Sequence, residues 1–182
     1  MINYSVDSDG IATILWDMPG RSMNVLNEGS ITAFADAAQK ATADAIATNG
    51  PFVGITAQGG DTGVVQAMID AKHPFVPFGG ETENGFRKFC GKYGNEGLKC
   101  ASGGTGPAQV AVAIKTAIAA LEGKVVPQSV KLPLARVESP NLKDGTDYYS
   151  SLSDNFFVGN SFPTCGINFT AQEIMGQTEA NK

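Results

Sequence analysis

The chain has 182 residues, 42% of them hydrophobic and 17% charged, enough to bury a sizeable core in one domain and too apolar to remain disordered. Its formal charge of −5 weighs against nucleic acid or an anionic membrane as a partner. No apolar run approaches the roughly 20 residues needed to span a bilayer. The first ten residues, Met1 to Gly10, lack the basic and apolar regions of a secretion signal, which predicts a cytoplasmic protein. In that compartment Cys90, Cys100 and Cys165 are expected as thiols. The spacing of Cys90 and Cys100 fits no metal site, since no second Cys pair or His pair accompanies them.

In chain order, residues 2–16 alternate apolar and polar about Asp9-Gly10, which predicts a hairpin of strands Ile2–Val6 and Ile11–Trp16. Met18-Pro-Gly-Arg-Ser22 reads as a loop. Asn27 is placed to cap a helix running to about Ala47, with Ile31, Phe34, Ala35, Ala38 and Ala45 on one face. After Asn49-Gly50-Pro51 short apolar runs alternate with helical patterns. Strands are expected at Phe52–Thr56, Phe75–Phe78 and Leu98–Ser102, and helices from Asp61 to about Lys72 and at Glu83–Tyr93. Pro107 stands where the first turn of another helix begins, and Gly123 can close it. Val110, Ile114, Ala117, Ile118 and Leu121 give that helix a core stripe. Val130–Val137 alternates as a last strand, and the rest is irregular, with Phe156, Phe157, Val158 and Phe162 needing burial. Repeated strand–helix units call for parallel pairing with right-handed crossovers.

The stretch Ile11-Ala-Thr-Ile-Leu-Trp-Asp-Met-Pro-Gly-Arg-Ser-Met-Asn-Val-Leu26 resembles the start of an enoyl-CoA hydratase/isomerase (crotonase) domain. The resemblance covers residues 1 to about 49. It implies that Arg21 and Asn24 lie near a coenzyme A pocket; the plainer reading is a loop whose Arg and Asn satisfy backbone groups. Crotonase catalysis depends on two backbone N–H groups that stabilise a thioester enolate, and on glutamates that move protons. Those groups lie downstream of the segment that is matched, so no catalytic residue is assigned and no enzyme activity is expected.

From Gln58-Gly-Gly-Asp-Thr-Gly-Val-Val-Gln-Ala67 onward the chain resembles the C-terminal part of a periplasmic sugar-binding protein of an ABC transporter. Glu83-Asn-Gly-Phe-Arg87 and Pro107-Ala-Gln-Val-Ala-Val-Ala-Ile-Lys-Thr116 extend the match. The resemblance implies sugar-hydroxyl contacts from Asp61 and from the turn at Gly104 and Thr105, with Gly60, Glu81 and Glu83 further candidates at the C-terminal edge of the sheet. Asp61 is also a natural helix N-cap, and Thr105 with Gly106-Pro107 is ordinary helix-start chemistry. His73 before Pro74 reads as a surface turn residue. Trp16 and Phe78 suit stacking on a sugar ring, though both sit in strand patterns that favour burial. The resemblance also leaves open an inherited disulfide between Cys90 and Cys100.

Together these readings predict an α/β fold: a mainly parallel sheet flanked by helices, half of a type I periplasmic-binding-protein fold, with an added N-terminal β-hairpin and helix. Residues 1–49 and 50–182 are expected to merge into a single domain, joined somewhere between about 45 and 57. The expected function is that of a fusion of two truncated parents, with neither hydratase nor transport activity and at most weak binding of a small sugar. A cytoplasmic carbohydrate-binding module is the alternative, and an acyl-CoA-binding or hydratase-like enzyme a further one. No cofactor or metal is expected. Surfaces that a missing lobe would have covered predict a homodimer, with the tail around Phe156–Phe162 or the hairpin contributing.

Overall fold

The structure, a computed structural model, describes residues 1–25, 27–104 and 106–176. Strands β1 (Ile2–Val6) and β2 (Ala12–Trp16) pair antiparallel in the register Ile2↔Trp16 to Val6↔Ala12. Their turn is fixed by Asp7, whose carboxylate accepts from the N–H of Asp9 at 3.0 Å and of Ile11 at 2.9 Å. Helix α1 (Glu28–Asn49) starts as expected at Asn27, which accepts from Ser30 N–H at 2.9 Å. Ser30 Oγ in turn accepts from Asn27 N–H at 2.9 Å, a reciprocal cap that satisfies two helix-start groups.

Helix α2 (Asp61–Asp70) packs along α1. The approach requires glycine at position 63: a Cβ there would sit 2.5 Å from Ala35 O. Gly60 is the N-cap residue, in a left-handed conformation with φ +72°. Asp61 is therefore not the cap; it is the first helical residue, and its side chain turns to another partner.

The central sheet has the order β3 (Ile55–Thr56), β4 (Phe78–Gly80), β5 (Cys100–Gly104) and β6 (Ala135–Glu138). The first three are parallel, with Ile55↔Phe78 and Phe78↔Cys100 aligned. The fourth is antiparallel, with Gly104↔Ala135. Helix α3 (Asn84–Tyr93) connects β4 to β5, and α4 (Ala108–Leu121) connects β5 to β6. The tail forms a small ribbon, β7 (Ser161–Phe162) with β8 (Ile167–Asn168), and a last short helix, α5 (Ala171–Met175). This is a mixed α/β architecture, its sheet partly parallel and flanked by helices.

Val65, Met68, Phe86, Cys90 and Leu98 are fully buried and form the main core with Phe78. Phe78 and Phe86 meet with ring centroids 4.6 Å apart. Ala38 and Ile46 of α1 pack against the same cluster. A smaller core joins Ala108 and Val112 of α4 to Phe162 and Ile167 of the tail ribbon.

Several expectations are corrected. The strands are shorter than the apolar runs that suggested them, and Val53, expected in a buried strand, is 94% exposed. Val130–Val137 narrows to β6, whose antiparallel pairing repeated strand–helix units do not foretell. The expected core stripe of α4 faces outward: Val110, Ile114, Ile118 and Leu121 are exposed, because the helix meets the rest of the chain mainly through Ala108 and Val112. His73 is buried, not a surface residue. Its Nε2 accepts from Phe52 N–H at 2.8 Å, which leaves the proton on Nδ1, facing Pro74 O at 2.6 Å. Cys90 and Cys100 are bonded to each other, the pairing that the sugar-binding resemblance left open and not the thiols expected from the compartment; Cys165 remains free. No helix of the described residues is long and apolar enough to cross a membrane.

Candidate functional site

A pocket of about 250 Å³ opens where the hairpin and α1 face the C-terminal edge of the parallel strands. Trp16 from β2, Ile31 and Phe34 from α1, Gly60 and Glu83 from the helix starts, and Phe157 from the tail line it. Each wall has a local cause. Trp16 ends β2, and the loop after it is tied down by Asn24, which accepts from Met18 N–H at 3.0 Å and donates to Trp16 O at 2.7 Å. The tail reaches the pocket because residues 154–158 bond to the segment before α3. Val158 N–H donates to Thr82 O and Asn84 N–H to Phe156 O, each at 2.8 Å, with Phe157 bridged to Glu83.

Glu83 is 5% exposed and links two helix starts: Oε2 accepts from the N–H and the hydroxyl of Thr62, both at 2.7 Å. A carboxylate at the first turn of α2 is favoured there by the helix dipole. Asp61 is fully buried behind it. Its Oδ2 accepts from Glu81 N–H at 2.6 Å, and Oδ1 meets no partner among the described residues. Burial pushes the Asp61 carboxyl up to about 7; the Glu81 N–H works against this, and the charges of Glu83 and Glu81 add to it. Trp16 contributes an indole N–H that is buried with no partner among the described residues.

The structure thus gathers Gly60, Asp61, Glu81 and Glu83 at one sheet edge, but only Gly60 and Glu83 line the pocket. Asp61 holds Glu81 in place from behind. Gly104 ends β5 close to Thr82, and Thr105 lies outside the described residues. Arg21 is exposed, and the Asn24 amide is engaged with its own loop; neither belongs to the pocket. Phe78, considered for stacking, is in the core. Sequence reasoning missed Phe34 and Phe157 as walls. Phe34 was legible as part of an apolar helix face, but nothing local announces that Phe157 returns across more than 70 residues to Glu83.

The described residues hold no cluster of three or more His, Cys, Asp or Glu side chains suited to a metal. The lining residues include no Ser, Cys or His that would serve as a nucleophile or imidazole base. What they offer is a donor in the Trp16 indole, an acceptor in Glu83, and aromatic faces, the means of holding an uncharged polyhydroxyl ring. No family model matches this chain, and neither a curated protein nor a solved structure is found to be similar to it.

Proposed function

We propose that this chain is a non-catalytic binding body that takes a small sugar weakly, in the pocket between Trp16 and Glu83. The observation that carries the reading is the pairing of a buried, unpartnered indole N–H with a buried carboxylate in a cavity of about 250 Å³. That volume is below the usual range for drug-sized ligands and suits a single ring. With one acceptor, one donor and few further polar groups, affinity near the millimolar level, about −4 kcal/mol, is expected. The resemblances in residues 11–26 and 58–116 support a composite origin, a hydratase fragment joined to part of a solute receptor, with hydratase and transport activity both lost. The disulfide favours maturation in an oxidising compartment over a cytoplasmic one.

Titrating a panel of pentoses and hexoses while following ligand-observed NMR tests the reading. Saturable binding of at least one sugar, abolished in Trp16→Leu, is the expected result. Binding of none, or binding that survives Trp16→Leu and Glu83→Gln alike, overturns it. Hydration of crotonyl-CoA by the purified protein would instead favour the enzyme reading.

We also infer a homodimer. The exposed row Val110, Ile114, Ile118 and Leu121 on α4 is the observation that favours it, more than the tail, where Phe162 is already buried within the chain.

A further inference from the structure

A second cavity, of about 200 Å³, lies between α3 and the tail and shares no lining residue with the Trp16 pocket. Arg87, Asp147, Tyr149, Phe156, Asn160 and Phe169 are among its walls. Arg87 is only 2% exposed. Its Nε donates to Ser102 Oγ at 2.8 Å and its Nη1 to Asp147 O at 3.0 Å, both uncharged acceptors. Nη2 is buried and has no partner among the described residues, and none of their ion pairs includes Arg87. Burial lowers its pKa to about 10, countered by the Asp147 charge, so the guanidinium stays cationic at neutral pH. A buried cation with an unused pair of N–H donors carries a desolvation cost that an anion in the cavity would offset.

We propose that this cavity binds a small organic monocarboxylate, with its carboxylate on Arg87 Nη2 and its hydrocarbon end against Phe156 and Phe169. A guanidinium fork recognises a planar carboxylate better than a spherical halide. The negative charge of Asp147 on the same cavity wall disfavours a dianion such as phosphate. The aromatic walls give an organic tail an advantage over an inorganic ion.

The test is thermal melting of the full chain titrated with acetate, propionate and benzoate, ionic strength being held constant with sodium chloride. A saturable rise in melting midpoint with a carboxylate, absent with chloride, is expected. Arg87→Lys should weaken that binding by at least about tenfold while leaving a folded protein. Phe169→Ala, at a half-exposed position, should weaken benzoate more than acetate. Trp16→Leu should leave the response unchanged, which keeps this site separable from the sugar pocket. The proposal is overturned if no carboxylate gives a saturable shift in the unmutated chain, if chloride matches it, or if Arg87→Lys binds as well as the parent.

Discussion

Helix α3 carries Asn84, Arg87, Lys88 and Lys92 among its residues and α4 is largely apolar, yet α3 is sealed into the molecule and α4 is left half outside. In α3, Phe86 and Cys90 are fully buried, and so are the polar residues Asn84 and Arg87. In α4, Ala108 and Val112 are the buried positions, while Ile114 and Ile118 are 55% and 51% exposed. Hydrophobicity alone does not account for this, since α4 is the more apolar helix in sequence. The difference lies in direction. Asn84 donates to Tyr149 O at 2.9 Å and Ser153 O at 3.0 Å and accepts from Tyr149 N–H at 2.8 Å, fastening the tail across α3. In α4, Lys115 Nζ donates to Cys165 O at 3.1 Å and Gly166 O at 3.4 Å, but these bonds are exposed to solvent and hold the tail ribbon near Ala108 and Val112, away from the outer row. Apolar burial is non-directional, and buried hydrogen bonds choose which surface is covered.

The comparison breaks most easily at its packed end. Phe86→Ala removes a ring packed at a tilt against Phe78 in the main core and should cost about 3–5 kcal/mol. Ile114→Ala on the exposed row should cost well under about 1 kcal/mol in the monomer. Chemical denaturation of the two variants measures the contrast directly; equal losses would mean that α4 is covered.

Buried polar groups are the part of the contrast that pH can reach. Asp61 has a carboxyl raised from 3.8 to about 7, chiefly by burial. The folded state therefore holds its proton through a range in which the unfolded chain has released it. Stability should fall as pH rises from about 4 to about 7 and level off above, by an amount on the order of 4 kcal/mol. Asp61→Asn keeps an acceptor for Glu81 N–H and removes the titration. Its stability should vary less with pH over that interval, as denaturation midpoints at several pH values would reveal. An unchanged slope would assign the effect to another group.

The disulfide sharpens the same contrast, because it ties Cys90 of α3 to Cys100 of β5. Replacing both by serine should cost about 3 kcal/mol, from the loop-closure entropy restored to the unfolded chain. Thermal unfolding of the double variant beside the parent, with and without reductant, gives the number. Reductant should shift the parent and leave the variant where it is.

Much of this fold was legible wherever a residue acts on its own neighbours. Asp9-Gly10 marked the hairpin, Asn27 marked the start of α1, and Gly123 closes α4 with φ +77°. The strands were harder, because β4 and β5 end on Gly79-Gly80 and Gly103-Gly104, residues with little strand propensity of their own. Their neighbours select them, not their side chains. At the candidate site, Gly60 and Glu83 could be found from their place at the helix starts. Trp16 was open to both ring stacking and core burial, because alternation specifies a face without saying what that face meets. Arg87 gave no local sign of its burial, which rests on Ser102 and the returning Asp147.

The smallest effect on the monomer tests what covers α4. Val110, Ile114, Ala117 and Leu121 are spaced by four, three and four residues, the interval that keeps a seam on one side of a helix. Two such rows packed across a two-fold axis would each supply what the other lacks. Ile114→Glu places a charge in the middle of that row. Because the side chain is exposed in one copy, monomer stability should change by no more than about 0.5 kcal/mol. The dimer, in contrast, would have to bury two like charges facing each other, and sedimentation velocity should show it converted to monomer. If the parent chain already sediments as a monomer at high concentration, the row is simply solvated, and the inferred dimer falls with it.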